Sequence, residues 1–193
     1  MASTTEPRTR KWTRVEYERL IDLGVFSPDE RLELLDGALV VREPQGSRHA
    51  AAIRKVVHTL RAALGDAWQI DSQLPLALDD ASEPEPDVCV VPHDPHAYRD
   101  AHPCRAVLVV EIAETSYRTD RDYKFSLYAR AGIAECWLVD VVNERVEIHR
   151  EPEVSSVALY GWRYRSVETL RSPAVVRPLI VPDTRIRIAD LLP

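Results

Sequence analysis

One acidic residue stands inside the most apolar run of the sequence. Glu111 follows Val107–Val110 and precedes Ile112, a pattern typical of a strand that is covered on both faces. A carboxylate in such a strand is costly unless it is paired with a cation or binds a metal ion. Taken alone, Glu111 is equally well explained as a buried acid that a lysine or an arginine neutralises.

Two other residues favour the metal interpretation. Asp87 directly precedes the apolar run Val88–Val91, and Lys124 lies one turn into the helix predicted after the strand of Glu111. Two carboxylates on adjacent strands beside an ammonium suit a hard divalent cation, with the lysine orienting a water or stabilising developing negative charge. Separately, Asp87 also fits a turn after Pro86 and Lys124 a solvated helix position, so the hypothesis depends on their joint arrangement.

The elements that must position these residues follow from local patterns. Thr13 and Glu16 have capping-box spacing, which predicts a short helix that ends at Gly24. Asp36-Gly37 between two apolar stretches predicts a β-hairpin with Glu33 on its first arm.

A longer helix is predicted between Ser47, as its N-cap, and Gly65. Its inward side is expected to carry apolar residues at helical spacing, namely Ala50, Ile53, Val57, Leu60 and Leu64. Its more polar side carries basic residues, namely Arg48, Arg54, Lys55 and Arg61. The helix is therefore amphipathic with a basic outer side.

Short apolar runs predict the strands of one sheet. They are AWQID, QLPLAL, DVCVV, AVLVVEIAE, ECWLVD and RVEIHRE, with the run around Glu111 as the central strand. A second helix is predicted from Thr119, capped with Asp122, to Gly132, with Tyr123, Leu127 and Tyr128 inward. This order of elements predicts an α/β domain with a central mixed β-sheet flanked by helices.

Composition limits the possible classes of protein. The chain of 193 residues with 45% hydrophobic content suits a single domain, residues 13–193, after a flexible polar arm, residues 1–12. The net charge of -6 provides no whole-protein basic field for nucleic acid, although basic residues could cluster on one face. Three cysteines without a C-x-x-C pair, and no apolar segment of membrane-spanning length, predict a soluble cytoplasmic protein that has no contact with membranes.

Other sites are less well supported. The sequence has no phosphate-binding P-loop, no G-x-G-x-x-G and no G-x-S-x-G elbow. A zinc site could consist of His93, His96, His102 and Cys104, but the spacing of these residues is irregular and prolines interrupt the segment. A histidine-rich surface loop explains this segment better.

Three segments in order resemble the Uma-two family, also called domain of unknown function eight-twenty. They are ELLDG (Glu33–Gly37), SEPEPDVCVV (Ser82–Val91) and the long block from Val109 to Asp140. That block is the most specific, with its acid-ended strand, its Asp-x-x-x-Lys step, YARAG and the strand WLVD. The family comprises restriction-endonuclease-like proteins of the PD-(D/E)XK nuclease superfamily, and the resemblance runs from about Thr13 to Asp140.

The resemblance implies roles for five residues. Asp87 matches the acid of the PD element and Glu111 the acid of the (D/E)XK element, which makes both metal ligands. Glu33 matches an upstream acid that completes the metal shell directly or through water. Lys124 matches the lysine that aligns or deprotonates the attacking water, and His49 matches a histidine that could face the site.

One position departs from the superfamily pattern. The residue two places after Glu111 is Ala113 instead of lysine, so the charge is expected from Lys124 on the helix. Ser116 and Asp120 are possible accessory residues near the scissile phosphate, although a helix cap explains them better.

The implied function is Mg²⁺- or Mn²⁺-assisted hydrolysis of phosphodiester bonds in nucleic acid, with DNA as the favoured substrate. Cleavage of two strands favours a homodimer, and Trp137 and Trp162 could belong either to its interface or to the core. The alternative is a catalytically silent nuclease-like domain that binds nucleic acid or a protein.

Overall fold

Six strands form the central sheet of the computed structural model, which describes residues 9–27, 30–42, 44–94, 96, 98–114 and 120–193, without the side chains of 120 and 121. The helices are α1 (Arg14–Asp22), α2 (Ser47–Leu64) and α3 (Phe125–Arg130), the last preceded by a π-helical turn, Asp120–Lys124. The strands are β1 (Leu32–Leu35), β2 (Ala38–Val41), β3 (Trp68–Asp71), β4 (Val88–Pro92), β5 (Leu108–Ala113), β6 (Glu135–Asp140), β7 (Arg145–Val154), β8 (Trp162–Leu170), β9 (Val175–Val176) and β10 (Ile186–Arg187). Short 3₁₀ turns cover Gly65–Ala67 and Ile188–Asp190.

The sheet has the order β3-β4-β5-β6-β7-β8. Only β5 and β6 are parallel, and the other neighbours pair antiparallel. The connection from β5 to β6 contains α3, as a parallel crossover requires. The predicted mixed α/β architecture is confirmed, and the run around Glu111 is an internal strand.

Alternating side chains of β5 separate the two faces of the sheet. Leu108, Val110 and Ile112 pack in the core beneath α2, whereas Val109 and Ala113 pack in the core beneath α3. Because strand side chains alternate, Glu111 projects on the α3 side. An internal strand with both faces covered explains why this segment is apolar apart from its acid.

Several local predictions are confirmed. Thr13 and Glu16 form both hydrogen bonds of a capping box at the start of α1. The hairpin of β1 and β2 turns at Asp36 and Gly37, with φ of 49° and 81°. Positive φ at both positions is what a two-residue type I′ turn requires, which explains the Asp-Gly pair.

The predicted start and inward side of α2 need correction. The N-cap is Gly46, and Ser47 is the first helical residue. Of the five predicted inward residues, Ile53, Leu60 and Leu64 are buried and Val57 packs partly buried against the core, while the buried row also contains His49, Ala52 and Val56. Apolar spacing alone does not show that a polar residue, His49, begins this row, although the family resemblance implied that His49 could face the site.

Two other predictions were wrong. QLPLAL forms no strand. The backbone N–H groups of Leu76 and Ala77 donate to the carbonyls of Pro84 and Pro103, which belong to loops, and Pro75 has no N–H to donate. Tyr123 is 47% exposed instead of inward, whereas Leu127 and Tyr128 are buried as predicted. The predicted cap at Thr119 lies outside the described residues.

The described end of the N-terminal arm contacts the first hairpin. The backbone N–H of Trp12 donates to the carbonyl of Gly37 at 2.8 Å, and Lys11 pairs with Asp36. Within the described ranges, no helix is long and apolar enough to cross a membrane.

Candidate active site

Five residues predicted from the sequence come together at one end of the sheet. Glu33 comes from β1, His49 from the first turn of α2, Asp87 from the residue before β4, Glu111 from β5, and Lys124 from the end of the π-helical turn. All five are buried, none being more than 8% exposed. The hydrogen bonds and ion pairs described below connect them into one cluster.

Two predicted accessory residues cannot be located at this cluster. Ser116 lies outside the described residues. The backbone of Asp120 begins the π-helical turn, but its side chain is not among those described. Their roles stay predictions.

Lys124 joins two of the acids. Its Nζ lies 3.0 Å from Glu33 Oε1 and 3.3 Å from Glu111 Oε1. The ammonium therefore connects the hairpin to the central strand, in a place where it stabilises two buried carboxylates. This contact brings a positive charge to Glu111 from the helix, as the alanine at position 113 led us to expect.

Asp87 and Glu111 are fixed to each other's strands. Val88 pairs with Val110 in the antiparallel register, so Asp87 lies opposite Glu111 at the next position. The N–H of Asp87 donates to Glu111 Oε2 at 3.3 Å, and the N–H of Ile112 donates to Asp87 Oδ2 at 2.8 Å. The register of two strands thus fixes both carboxylates.

His49 contacts the other oxygen of Asp87. The distance between His49 Nε2 and Asp87 Oδ1 is 3.1 Å. Burial raises the pKa of Asp87. This effect is outweighed by groups that lower the pKa, namely the hydrogen bond and charge of His49, the charge of Lys124 and the N–H of Ile112. The net pKa is therefore below its ordinary value. Asp87 is therefore a carboxylate at neutral pH.

Arg42 belongs to the cluster and was not predicted. Its guanidinium lies 2.8 Å from Glu85 Oε2, 3.4 Å from Asp87 Oδ1 and 3.7 Å from Glu33 Oε1. Burial lowers the pKa of Arg42, but the surrounding acids raise it overall. The hairpin register could have revealed it, since Glu33 pairs with Val40 and Arg42 follows two residues later on the same face.

Tyr128 is the second residue that was missed as a member of the site. Its hydroxyl donates to Glu111 Oε1 at 2.6 Å. Burial, followed by the charges of Glu111 and Glu33, raises the pKa of Tyr128 well above its ordinary value, so the phenol stays protonated and can donate. The four-residue step from Lys124 was the available signal, because it places both side chains on one helix face.

The donor set is chemically suited to Mg²⁺ or Mn²⁺. Carboxylate oxygens are the preferred ligands of such hard cations. Within the part of the chain that the structure describes, no three His, Cys, Asp or Glu side chains are arranged as a preformed metal cage. Mg²⁺ is commonly held by only one or two carboxylates, together with waters and substrate phosphates, so Asp87 and Glu111 fit this mode of binding.

The histidine-rich segment was interpreted from the sequence as a surface loop in preference to a zinc site. His93, His96, His102 and Cys104 are all exposed, and they build no metal-binding group among the described residues. His102 instead lies 3.7 Å from Glu83 Oε1.

A six-stranded mixed sheet flanked by helices, with buried acids at two neighbouring strands, places the protein in the mixed α/β class. The fold is similar to a crystal structure described as a "putative nuclease belonging to DUF820" from Anabaena variabilis ATCC 29413, with a TM-score of 0.66 and 16% sequence identity. The alignment covers 88% of this chain and 94% of that chain. This similarity confirms the restriction-endonuclease-like fold.

Residues 14–189 match the Uma2 family, whose description is "Putative restriction endonuclease". The protein therefore belongs to this family, as its motifs predicted. No curated protein matches the chain.

Proposed function

We propose that this protein is a metal-dependent endonuclease that hydrolyses phosphodiester bonds in DNA. The family and the fold support a nuclease-type function. The observation that carries the finer proposal is the fixed pair of buried carboxylates, Asp87 and Glu111, with the Lys124 ammonium 3.3 Å from Glu111.

Asp87 and Glu111 would hold Mg²⁺ or Mn²⁺, and Glu33 would contribute directly or through a water. When bound, the cation supplies Lewis-acid polarisation of the scissile phosphate and lowers the pKa of water. Lys124, as an ammonium, would orient the attacking water and stabilise developing negative charge, whereas the alternative role as base would require it to lose its proton first. Glu33 also accepts a hydrogen bond from the N–H of Glu85 at 2.7 Å, which fixes the position of its carboxylate. This fixed carboxylate in turn holds the ammonium of Lys124 in place.

Two supporting residues would keep the acids in place. Tyr128 holds one oxygen of Glu111, and His49 holds one oxygen of Asp87. Such donors restrict the carboxylates to one orientation, which a metal site needs in order to bind in a single geometry. Arg42 lies 2.8 Å from Glu85 Oε2 and 3.4 Å from Asp87 Oδ1, so its charge offsets part of the negative charge of the acids.

The test compares Glu111→Gln with Glu135→Gln. Glu135 is an equally buried strand acid that pairs with Arg150 away from the cluster, which makes it a matched control. Calorimetric titration of Mg²⁺ and Mn²⁺, with cleavage of plasmid and single-stranded DNA in the same samples, should show binding and cutting in the wild type and in Glu135→Gln. Both should be lost in Glu111→Gln, and cleavage that persists there would remove Glu111 from the mechanism.

A second candidate function is binding without cleavage. The observation in its favour is that cationic or neutral donors already contact the acids, since Arg42, Lys124 and His49 lie within 4 Å of them. Such a cluster could serve structure alone. A wild-type protein that binds DNA but neither binds metal nor cuts would favour this function.

We also propose a homodimer in the cytoplasm. Trp137 is fully buried in the core, so β8, the last strand of the described sheet, with the half-buried Trp162 is the better candidate for the interface. The three cysteines are free thiols, which suits a reducing compartment. Sedimentation velocity at micromolar concentrations should give the mass of two chains, and a monomer throughout would contradict the dimer.

A further inference from the structure

The outer side of α2 concentrates positive charge. The helix carries no acidic residue and four basic ones, in a chain whose net charge is -6. All four are exposed, namely Arg48, Arg54, Lys55 and Arg61. The opposite side of the helix is buried against the sheet, so only the basic side is available to a partner.

A cleft continues this basic side. It has a volume of about 640 Å³ and lies between α2 and the segment Thr184–Asp190. Its charged lining consists of Arg54, Lys55, Arg185 and Asp190, with His58 beside them. Asp190 is engaged by Arg187 at 2.8 Å, so the cleft keeps an excess of positive charge.

The same helix contributes to the candidate active site. His49, in the first turn of α2, contacts Asp87. With a rise of about 1.5 Å per residue, Arg54 lies roughly 8 Å and Arg61 roughly 18 Å further along the helix axis. One strand of B-DNA carries a phosphate about every 3.4 Å along its axis, so α2 can run beside several phosphates.

We propose that the α2 basic face, defined as Arg48, Arg54, Lys55 and Arg61 with His58 and Arg185 of the cleft, binds the sugar-phosphate backbone of nucleic acid. This inference rests on the proposed function for its purpose, since it would hold the substrate beside Asp87. Phosphate contacts position a nucleic acid without reading its sequence. This face would therefore contribute affinity and fix the position of the nucleic acid on the protein. A membrane surface fits less well, because the apolar side of α2 is already buried.

The test is the double variant Arg54→Gln/Arg61→Gln. Lys55 is left intact, because it donates to the carbonyls of Ala189 and Leu192 and so supports the C-terminal segment. The control is Arg99→Gln/Arg105→Gln, which removes the same charge from two exposed residues between β4 and β5 that belong neither to α2 nor to the cleft. Fluorescence anisotropy with a labelled duplex, in EDTA and at several salt concentrations, measures affinity and its salt dependence.

The α2 variant should bind about tenfold more weakly at low salt, and its slope of log affinity against log salt should be shallower by about 1 to 2. The control should match the wild type in slope. Equal slopes for the α2 variant and the wild type would overturn the inference, and so would a wild type that binds no DNA.

Hydrolysis of bis(4-nitrophenyl) phosphate with Mn²⁺ separates this inference from the proposed function. This small diester has no flanking phosphates for Arg54 and Arg61 to contact, so the α2 variant should hydrolyse it at the wild-type rate. A wild type that binds DNA through α2 but cleaves neither substrate would refute hydrolysis alone. A wild type that cleaves DNA while the α2 variant binds normally would refute the inference alone.

Discussion

At the residue scale, Tyr128 is a neutral side-chain donor that helps to orient Glu111, beside Lys124 and the backbone N–H of Asp87. Tyr128 is fully buried and its hydroxyl lies 2.6 Å from Glu111 Oε1, the oxygen that Lys124 also contacts. The Tyr128→Phe variant removes this hydrogen bond and leaves the ring in place. We expect a loss of about 1 to 2 kcal/mol in the free energy of unfolding. We also expect DNA cleavage to fall about tenfold, because Glu111 loses its fixed orientation.

The matched control is Tyr164→Phe. Its hydroxyl is also buried and donates to the carbonyl of Ile133 at 2.8 Å, away from the cluster. This variant should lose similar stability in urea unfolding but keep its cleavage rate. If both variants lose cleavage equally, the effect of Tyr128 is one of general stability and its positioning role is refuted.

Glu83 gives a prediction about pH. Its side chain is buried, and Oε2 has no hydrogen-bond partner among the described residues. Burial, followed by the charge of Glu18, raises the pKa of Glu83 from 4.5 to about 7, although Arg14 opposes this. The folded state therefore prefers the neutral acid. The stability from this preference is complete below pH 4.5 and is lost as the pH rises through about 7.

Glu83→Gln removes this titration and keeps the shape of the side chain. Relative to the wild type, the variant should gain on the order of 2 kcal/mol of unfolding free energy between pH 5 and pH 8. Urea unfolding of both proteins at the two pH values measures this difference. A constant difference between the proteins would mean that Glu83 does not titrate in this range, with His102 at 3.7 Å stabilising its charged form.

Sequence patterns indicated those candidate site residues that are charged but stand in or beside an apolar segment. Glu111 was detectable because an acid interrupts an apolar strand, and Asp87 because it precedes another such strand. Arg42 and Tyr128 lack that signal. An arginine after a hairpin strand and a tyrosine on an apolar helix face both have ordinary explanations, so the register and the four-residue step were weak signals that become clear only beside the tertiary contacts.

At the scale of elements, Arg130 fastens α3 to the first hairpin. It donates to Asp36 Oδ1 at 2.7 Å, Asp79 Oδ2 at 2.8 Å and Ser82 Oγ at 3.1 Å. Asp36 of the ELLDG motif and Arg130 of the YARAG motif therefore contact each other. Since Glu33 lies on the same hairpin, this contact also supports the site.

Arg130→Ala should lower the free energy of unfolding by about 1 to 3 kcal/mol, because three polar groups lose a charged donor. Arg163→Ala is the comparison, as it breaks one exposed ion pair with Glu153, and it should cost less than about 0.5 kcal/mol. Chemical denaturation measures both. Equal losses would show that the Arg130 network behaves as an ordinary surface ion pair.

Elements with strong local signals were predictable, and those fixed by tertiary contacts were not. The hairpin turn and the first capping box depend on residues within four positions of each other. QLPLAL instead donates backbone hydrogen bonds to the carbonyls of Pro84 and Pro103, and no local pattern encodes these contacts. The π-helical turn before α3 likewise changes which side chains face inward, and so Tyr123 points to solvent.

At the scale of the whole molecule, the charge distribution has two parts. A net charge of -6 is combined with a basic helix face and a buried acidic cluster beside it. Any added salt therefore has a general screening effect on the stability of the protein. A specific metal site must produce more than this general effect, and the excess can be measured.

Mg²⁺ at ten times its dissociation constant should stabilise the wild type by about 1.4 kcal/mol, which for a chain of this size raises the Tm by roughly 3 to 6 °C. NaCl of equal ionic strength should give a smaller shift. In Asp87→Asn the amide oxygen can still accept the N–H of Ile112, so the fold should persist while the Mg²⁺ shift falls to the NaCl level. Thermal unfolding followed by circular dichroism tests this, and a full Mg²⁺ shift in Asp87→Asn would place the cation elsewhere on the molecule.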